Sequence, residues 1–403
     1  MVIREYGQCT VCQLKFILRV GIGLAARCTH TFDCPLCHTP ITIDAVIGEP
    51  PHVSIEMCEN AQSIEEGAEV TTVVNLHPSV AFTLDQFHSP YAFPSLMYMN
   101  MVGPFIRSPA GSRTHDGATQ FEVPETQTIW PVVKSVLTLA TKGDPANVLQ
   151  KQIARYEELR KKYSPTFKCT TVFKCVASFF DDIFYPLVGA LRNPLKVMIY
   201  DEAATHKDEL ERFGVFYRSD FEQVHLERYL AIFDDYFEHF DQFRQMLVYA
   251  RTGNEDVDSL IVGAKSFNQI KLYYGQAYET LTSSYVILAC LNNLSAGRKY
   301  DEFASMTLSK YINDVEKAKK ANPFKDIPVL SAFTRFEDSA MRNGSHHASI
   351  WRDGELIKFR SGGTGAERDI SYSRYMHLCN GITIALAALL LVEMQMFGRH
   401  RTT

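Results

Sequence analysis

The sequence lacks an apolar run long enough to cross a membrane. The longest run, residues 382–392, is closed by Glu393, whereas a membrane helix needs about 20 apolar residues. The first residues also lack the basic start, the apolar stretch and the small-residue cleavage site of a secretory signal. We therefore expect a cytoplasmic protein without a membrane-spanning segment.

An excess of positive charge is also absent. The chain carries a net charge of −5 and has a pI near 6.2, so any contact with nucleic acid must come from a local basic surface. Hydrophobic residues make up 46% and charged residues 22% of the 403 residues, which is typical of a folded globular protein. This length exceeds what one hydrophobic core usually organises, and we expect two or three domains.

A disulfide framework is not expected either, because the cytosol keeps thiols reduced. Paired cysteines then point to a metal site, because two tight turns that each offer two thiolates complete the tetrahedron that structural zinc prefers. Cys28 and His30 lie close enough in the sequence to compete as ligands, and buried free cysteines are the alternative interpretation. Four of the ten cysteines form two Cys-x-x-Cys pairs: Cys9, Cys12, Cys34 and Cys37.

This spacing predicts a zinc-ribbon-like module over about residues 1–45, with the alternating residues 14–19 as a strand. A site closed by four ligands leaves no open position for a substrate. We therefore expect a structural Zn²⁺ that stabilises a module too small to fold alone, and no metal cofactor for catalysis. Nucleic acid and protein are both candidate ligands of such a module.

The middle of the chain changes character at about residue 126. Residues 46–125 combine proline, glycine and histidine with short apolar runs, which predicts a mixed strand and loop region. Residues 126–254 carry apolar positions at three- and four-residue intervals, which predicts a helical region. Within it, five aromatic residues form a stripe at helical spacing that predicts a core or partner-facing surface: Phe233, Tyr236, Phe237, Phe240 and Phe243.

Residues 255–403 contain four helical segments, at about 257–293, 300–321, 328–343 and 371–398. Between the third and the fourth, Asp353-Gly354 separates two short apolar runs and predicts a β-hairpin within residues 350–370. The fold class expected for the whole chain is mainly α with smaller β parts. It combines an N-terminal zinc ribbon, a helical middle and a C-terminal four-helix bundle with an inserted β-hairpin.

The end of the third helical segment carries the residues with the clearest chemistry. Arg342 is followed directly by Asn343 and, after four intervening positions, by His347. At a helix end ahead of a hairpin, this motif resembles the R-x4-6-H signature of the HEPN superfamily, and in particular HEPN proteins of bacterial abortive-infection and toxin systems. The resemblance covers about residues 255–403 and does not extend to the ribbon or the middle of the chain.

The resemblance implies a metal-independent endoribonuclease, in which the ribose 2′-hydroxyl of RNA attacks the adjacent phosphate. Histidine titrates near neutrality, so His347 is the predicted acid or base. Arg342 is predicted to bind the phosphate oxygens, and Asn343 to orient either group or the substrate. One histidine supplies one of the two proton transfers, and HEPN enzymes are typically dimers. A homodimer or higher homo-oligomer is therefore implied.

Two alternatives stay open for this segment. His346 lies four residues after Arg342 and shares its helix face more closely than His347 does, which makes it a candidate helper. If Gly344 ends or loosens the helix, either histidine can approach the arginine. Arginine and histidine at a helix end also commonly satisfy free carbonyl groups without any catalytic role.

Basic residues near the motif predict a surface for an RNA backbone in an otherwise acidic protein. Each can equally be a solvated surface charge. The function expected from this resemblance is a toxin-like antiviral ribonuclease whose other regions sense a trigger or bind an inhibitor. The alternatives are a catalytically silent HEPN scaffold with a zinc-ribbon binding module, and a partner of a nucleotidyltransferase. The proposed RNA-binding residues are Arg352, Lys358, Arg360, Arg368 and Arg374.

Overall fold

The protein is described by a computed structural model that covers residues 2–48, 52–66, 70–107, 121–142, 147–346, 349–363 and 365–397. Of these residues, 56% are helical and 18% lie in strands, which form several small sheets. The expected class, mainly α with smaller β parts, is confirmed at this level.

The described residues form twelve strands and fifteen α-helices, together with short 3₁₀ turns. The strands are β1 (Val2–Cys9), β2 (Lys15–Gly21), β3 (Arg27–Asp33), β4 (Pro40–Ile47), β5 (Val53–Glu59), β6 (Ala61–Ser63), β7 (Thr72–Leu76), β8 (Phe82–Thr83), β9 (Leu260–Ile261), β10 (Ile350–Asp353), β11 (Leu356–Arg360) and β12 (Glu367–Ser371). The helices are α1 (Leu84–Phe87), α2 (Pro94–Arg107), α3 (Thr126–Lys142), α4 (Val148–Lys161), α5 (Val172–Phe184), α6 (Leu187–Thr205), α7 (Lys207–Asp220), α8 (Glu222–Glu238), α9 (Phe240–Thr252), α10 (Phe267–Ile270), α11 (Tyr273–Ser295), α12 (Leu308–Asn313), α13 (Pro328–Ser331), α14 (Ser339–His346) and α15 (Tyr372–Phe397). The 3₁₀ turns are Lys317–Lys319, Asn322–Phe324, Ala332–Thr334 and Ser361–Gly363.

The N-terminal strands form two small sheets that share a core. In one sheet β1 pairs with β2 and β6, and β2 also pairs in parallel with β7; in the other, β4 lies between β3 and β5. Every second residue of β2 faces inwards, so Phe16, Leu18 and Val20 are fully buried. The ring of Phe16 meets that of Phe32 edge-on at 6.0 Å. Strands from residues 53–76 thus complete the sheets that begin within the predicted ribbon.

The helices share a second, larger core around α15. This helix packs against α5, α6, α8, α9 and α11, so helices from both sides of residue 254 belong to one apolar cluster. Polar anchors fix their positions: Asn380 accepts a hydrogen bond from the Tyr236 hydroxyl at 2.6 Å. The aromatic stripe is a core surface, because four of its members are buried: Phe233, Tyr236, Phe237 and Phe243.

Among the described helices, α15 is long and apolar enough to cross a membrane by length and composition. However, 94% of its apolar window is buried inside the protein. The helix also contains Glu393, whose carboxylate accepts hydrogen bonds from the buried hydroxyls of Tyr217, at 2.5 Å, and Tyr229. This packing is typical of a core helix.

The predicted hairpin is present between α14 and α15. Strands β10 and β11 pair through Asp353 and Leu356, and Gly354 in the connection has a φ of +60°, a backbone conformation that glycine adopts without strain. A third strand, β12, pairs with β11 on the other side. This third strand was not predicted from the sequence.

The helices before the hairpin are shorter than predicted. The predicted segment 257–293 contains two separate helices, α10 and α11. The predicted segment 300–321 contains the six-residue α12 and one 3₁₀ turn. Segment 328–343 is divided into α13, a 3₁₀ turn and α14. New helical turns begin around Pro323 and Pro328, because proline has no N–H for an uninterrupted helix but fits the first turn.

Candidate functional site

The two cysteine pairs lie on turns of the same construction. In each turn, the amide of the first cysteine, Cys9 or Cys34, donates to the carbonyl oxygen five residues later at 2.9 Å. The amide four residues later donates back to the carbonyl of that cysteine at 3.0 Å. The residues after the second cysteines, Gln13 and His38, have φ values of 66° and 59°. Two turns with one geometry therefore present their thiols to a common point.

The four thiols form a compact group that can hold a metal ion, because their sulfur atoms all lie within 4.8 Å of one another. Cys9 and Cys37 are 3.8 Å apart, and Cys12 and Cys34 are 3.6 Å apart. A tetrahedral zinc site with bonds of about 2.3 Å has edges of about 3.8 Å. The arrangement therefore fits one four-coordinate ion.

Cys28 and His30, the competing ligands of the sequence analysis, lie outside this group. Both are buried in β3, where the His30 Nδ1 accepts a hydrogen bond from the Gln245 amide of α9 at 3.4 Å. Burial raises the pKa of Cys28 to about 12 and lowers that of His30 to about 3. These side chains therefore belong to the contact between the sheet and the helical core.

The thiols of the metal-binding group differ in their affinity for protons. Burial raises the pKa of Cys34 to about 12, whereas hydrogen bonds from the side chain and backbone of Thr39 lower the pKa of Cys37 to about 6. A bound cation stabilises thiolates that would otherwise repel one another. The group can therefore hold a cation that binds all four sulfurs.

The second candidate site is centred on α14, which carries the arginine motif. Asp338 caps the N-terminus of this helix, because its Oδ1 accepts hydrogen bonds from the amides of Ala340 and Met341, each at 2.9 Å. The helix continues through Gly344 to His346, so the glycine does not end it. A Cβ at Gly344 would lie 2.9 Å from the Phe359 side chain, which shows that glycine permits the close approach of α14 to β11.

Arg342 and Asn343 are brought together by the structure. The Arg342 Nη1 donates to the Asn343 Oδ1 at 2.7 Å, and the Asn343 Nδ2 approaches the Ser361 Oγ at 3.4 Å. The opposite edge of the guanidinium is bound by Glu279 of α11, with the Nε at 2.5 Å and the Nη2 on the same carboxylate oxygen. The Arg342 side chain is 22% exposed, so this group is accessible from solvent.

His346 is exposed at the last position of α14, one helical turn after Arg342. The predicted catalytic His347 lies outside the described residues. Of the motif, the structure therefore describes Arg342 and Asn343, together with the candidate helper His346.

Glu337 is a further titratable group near this helix. Its carboxylate accepts a hydrogen bond from the buried Tyr285 hydroxyl. Burial raises the pKa of Glu337 to about 7, against the smaller opposing effect of the Tyr285 hydrogen bond. This carboxyl group therefore binds a tyrosine of the helical bundle.

The predicted RNA-binding residues have acidic neighbours in the folded chain. Arg374 binds Asp258 at 2.7 Å and Glu255 at 2.9 Å. Lys358 binds Asp353 at 2.6 Å, and Arg360 binds Glu367 at 3.3 Å. Arg352 binds Asp33. Arg368 is exposed on β12. Much of the positive charge of this group is therefore balanced within the chain.

A buried ionic cluster connects the cysteine turns to the hairpin. Asp33, the residue directly before Cys34, is 3.2 Å from Lys265 and also binds Arg352 of β10. Lys265 in turn binds Glu355 in the hairpin connection. The Lys265 side chain is 2% exposed, so the cluster fixes the position of the hairpin against the N-terminal sheets.

No protein-family model, characterised protein or solved structure gives a significant match to this chain. The HEPN resemblance thus depends on the motif and its local setting. Glu279, Lys265 and Asp33 could not be identified from the sequence, because their roles arise from contacts between residues that are distant in the chain. A buried acidic or basic residue has no local sequence signal beyond its charge.

Proposed function

We propose that the protein is a metal-independent endoribonuclease of the HEPN type with a structural Zn²⁺. The observation that carries this proposal is the hydrogen-bonded pair of Arg342 and Asn343 on a solvent-accessible helix directly before a β-hairpin. An arginine beside a polar amide is the part of the motif that would bind and orient an RNA phosphate.

In the proposed reaction, the ribose 2′-oxygen attacks the neighbouring phosphorus and the bond from phosphorus to the 5′-oxygen breaks. A base takes the proton of the 2′-hydroxyl, and an acid gives a proton to the leaving 5′-oxygen. His347 would perform one transfer and the motif of a second subunit the other, which makes a homodimer or a higher homo-oligomer part of the mechanism. Arg342 would stabilise the negative charge of the pentacoordinate phosphate.

The four-cysteine group would bind the zinc, with no role in the chemistry. Its sulfur distances suit a tetrahedral ion, and four protein ligands leave no position for a substrate. The proposed biological role is a cytoplasmic, toxin-like effector of antiviral abortive infection, with the N-terminal regions responding to an activating trigger or to an inhibitor.

The test is cleavage of total cellular RNA and purified tRNA in the presence of EDTA. We expect the wild type to produce 2′,3′-cyclic phosphate ends, and Arg342→Ala and His347→Ala to lose at least about 100-fold in rate, since each removes a group used in the transition state. Arg335→Ala is the matched control, because it removes an exposed arginine paired with Glu255 shortly before α14. Equal rates in all four proteins would contradict the proposal.

A second candidate function is a non-catalytic HEPN scaffold with a zinc-containing module that binds nucleic acid or protein. It is favoured by the ion pair of Arg342 with Glu279, which already neutralises the guanidinium within one chain. In this case expression of the wild type would not be toxic, and His347→Ala would change nothing. Toxicity that is relieved by His347→Ala would favour the nuclease.

A further inference from the structure

Glu279 of α11 binds basic residues from two separate elements. One carboxylate oxygen accepts both Nε and Nη2 of Arg342. The other lies 3.8 Å from the Nζ of Lys317, which begins the 3₁₀ turn Lys317–Lys319. The same ammonium group is 2.5 Å from the Ser283 Oγ, one helical turn further along α11. One acidic residue thus holds two cations close together.

The ratio of charges here differs from that at the other basic residues near the motif. Arg374 and Arg335 have two carboxylates between them, Glu255 and Asp258. Lys358 and Arg360 likewise have two, Asp353 and Glu367. The buried cluster at Asp33 contains two cations and two carboxylates. Arg342 and Lys317 have one carboxylate between them. Among the described residues around the motif, positive charge therefore exceeds negative charge at Glu279.

Two further acidic residues of this region have their hydrogen bonds to other groups. Asp338 directs its Oδ1 to the first amides of α14, and Glu337 accepts the Tyr285 hydroxyl in the interior. A third cation, Arg228 of α8, is close enough to Lys317 to contribute to its electrostatics. Burial, together with the like charges of Arg228 and Arg342, lowers the pKa of Lys317 against the attraction of Glu279.

Lys317 remains reachable from solvent, since its side chain is 33% exposed and that of Arg342 is 22% exposed. The ammonium group of lysine has three donors, and Ser283 and Glu279 occupy two directions. An incoming anion would therefore find a free donor on Lys317 beside the guanidinium of Arg342. It would also reduce the repulsion between these two cations.

We propose that Lys317 and Arg342 form a two-cation site for the phosphate backbone of RNA, with Glu279 as the residue that positions both. Lys317 is thereby a further RNA-binding residue of the proposed nuclease. This inference deepens the proposed function and rests on it for the nature of the ligand. Arg342 contacts the reacting phosphate, and Lys317 contacts a neighbouring phosphate of the same strand.

The experiment measures binding apart from cleavage, with a fluorescein-labelled single-stranded 2′-O-methyl RNA that has no attacking hydroxyl. We expect Lys317→Ala to weaken binding several-fold, and the slope of log affinity against log salt to become shallower by about 0.7, as for one lost contact to a single strand. Lys317→Arg retains the charge and should bind as the wild type does.

The control is Lys319→Ala, in the same 3₁₀ turn, whose side chain is 62% exposed and paired with Glu316. It should leave both affinity and slope unchanged. Circular dichroism of each variant establishes that it is folded. Equal affinity and slope in Lys317→Ala and the wild type, or no binding by the wild type, overturns the two-cation site. Wild-type binding without cleavage of ordinary RNA instead contradicts the nuclease and leaves the site in place.

Discussion

At the cysteine centre, four like groups come from two turns with the same hydrogen-bond pattern, whereas around Arg342 unlike charges come from α11, α14 and a 3₁₀ turn. Four thiolates repel one another unless a cation lies between them. The guanidinium of Arg342, by contrast, already has a carboxylate partner in Glu279.

The difference concerns what each centre needs from outside the chain. The cysteine centre has four ligand atoms within the chain and, in our proposal, would gain its stability from a bound metal ion. The arginine centre already has its ion pair within the chain, and as the proposed ribonuclease site it would have to exchange or share that pair with a phosphate. We therefore expect substitutions at the first to affect folding and substitutions at the second to affect binding and rate.

Removal of a metal ligand is the change with the largest expected effect. Cys34→Ser should abolish bound zinc and unfold the N-terminal sheets, because a structural zinc ion contributes on the order of 10 kcal/mol in small modules. Elemental analysis of the purified protein and circular dichroism report the two effects. Cys28→Ser, at a buried cysteine outside the group, should keep its zinc. A metal-free wild type would contradict the assignment.

A smaller effect is expected at the buried cluster that joins the two regions. Lys265→Met removes a cation with a side chain that is 2% exposed, so that Asp33 keeps only Arg352 and the partly exposed Glu355 loses its lysine. We expect a loss on the order of 2 kcal/mol in the free energy of unfolding, measured in urea. Trp351, next to Arg352 in β10, reports on the hairpin by its fluorescence.

The matched control is Lys358→Met, which removes a lysine of the same hairpin that is 26% exposed and paired with the exposed Asp353. Its expected cost is below about 1 kcal/mol. If Lys265→Met were no more costly than this control, the cluster would not couple the hairpin to the N-terminal sheets. Both variants should retain zinc, since neither residue contributes a sulfur.

The smallest effect is a dependence on pH at Glu337. Its pKa in the folded protein is raised from an ordinary value of 4.5 to about 7, so folding favours the protonated form. The stability that this group contributes is present below about pH 4.5 and is lost as the pH rises to about 7. Glu337→Gln should therefore unfold at nearly the same urea concentration at pH 5 and pH 8.

The wild type, in comparison, should lose on the order of 1 to 3 kcal/mol between these two pH values. Glu302→Gln, at an exposed glutamate, controls for the charge change. The same pH dependence in wild type and Glu337→Gln would show that Glu337 ionises in the folded protein as it does in water.

The sequence predicted those parts of the structure that depend on neighbouring residues. The two Cys-x-x-Cys turns, the hairpin at Gly354 and the long final helix have local signals in spacing and composition. The choice of Cys34 over Cys28 as a ligand was left open. This choice of ligand depends on which face of β3 packs against α9, and only the tertiary structure determines that face.

The arginine centre was predictable only in part for the same reason. Arg342 and Asn343 are adjacent in the chain, whereas Glu279 lies 63 positions before the arginine and Lys317 belongs to a turn that the helical pattern did not reveal. Long-range ion pairs of this kind depend on how α11 is oriented against α14. Neither hydrophobic periodicity nor a short motif contains that information.

The position of α15 in the chain also bears on when the fold can form. This helix follows Arg342 and the hairpin in sequence, yet it is the element around which the helices of the larger core are arranged. A nascent chain that has been translated only through the hairpin has no such centre for its helices. We therefore expect α11, which packs directly on α15, to take its final place only after α15 has left the ribosome.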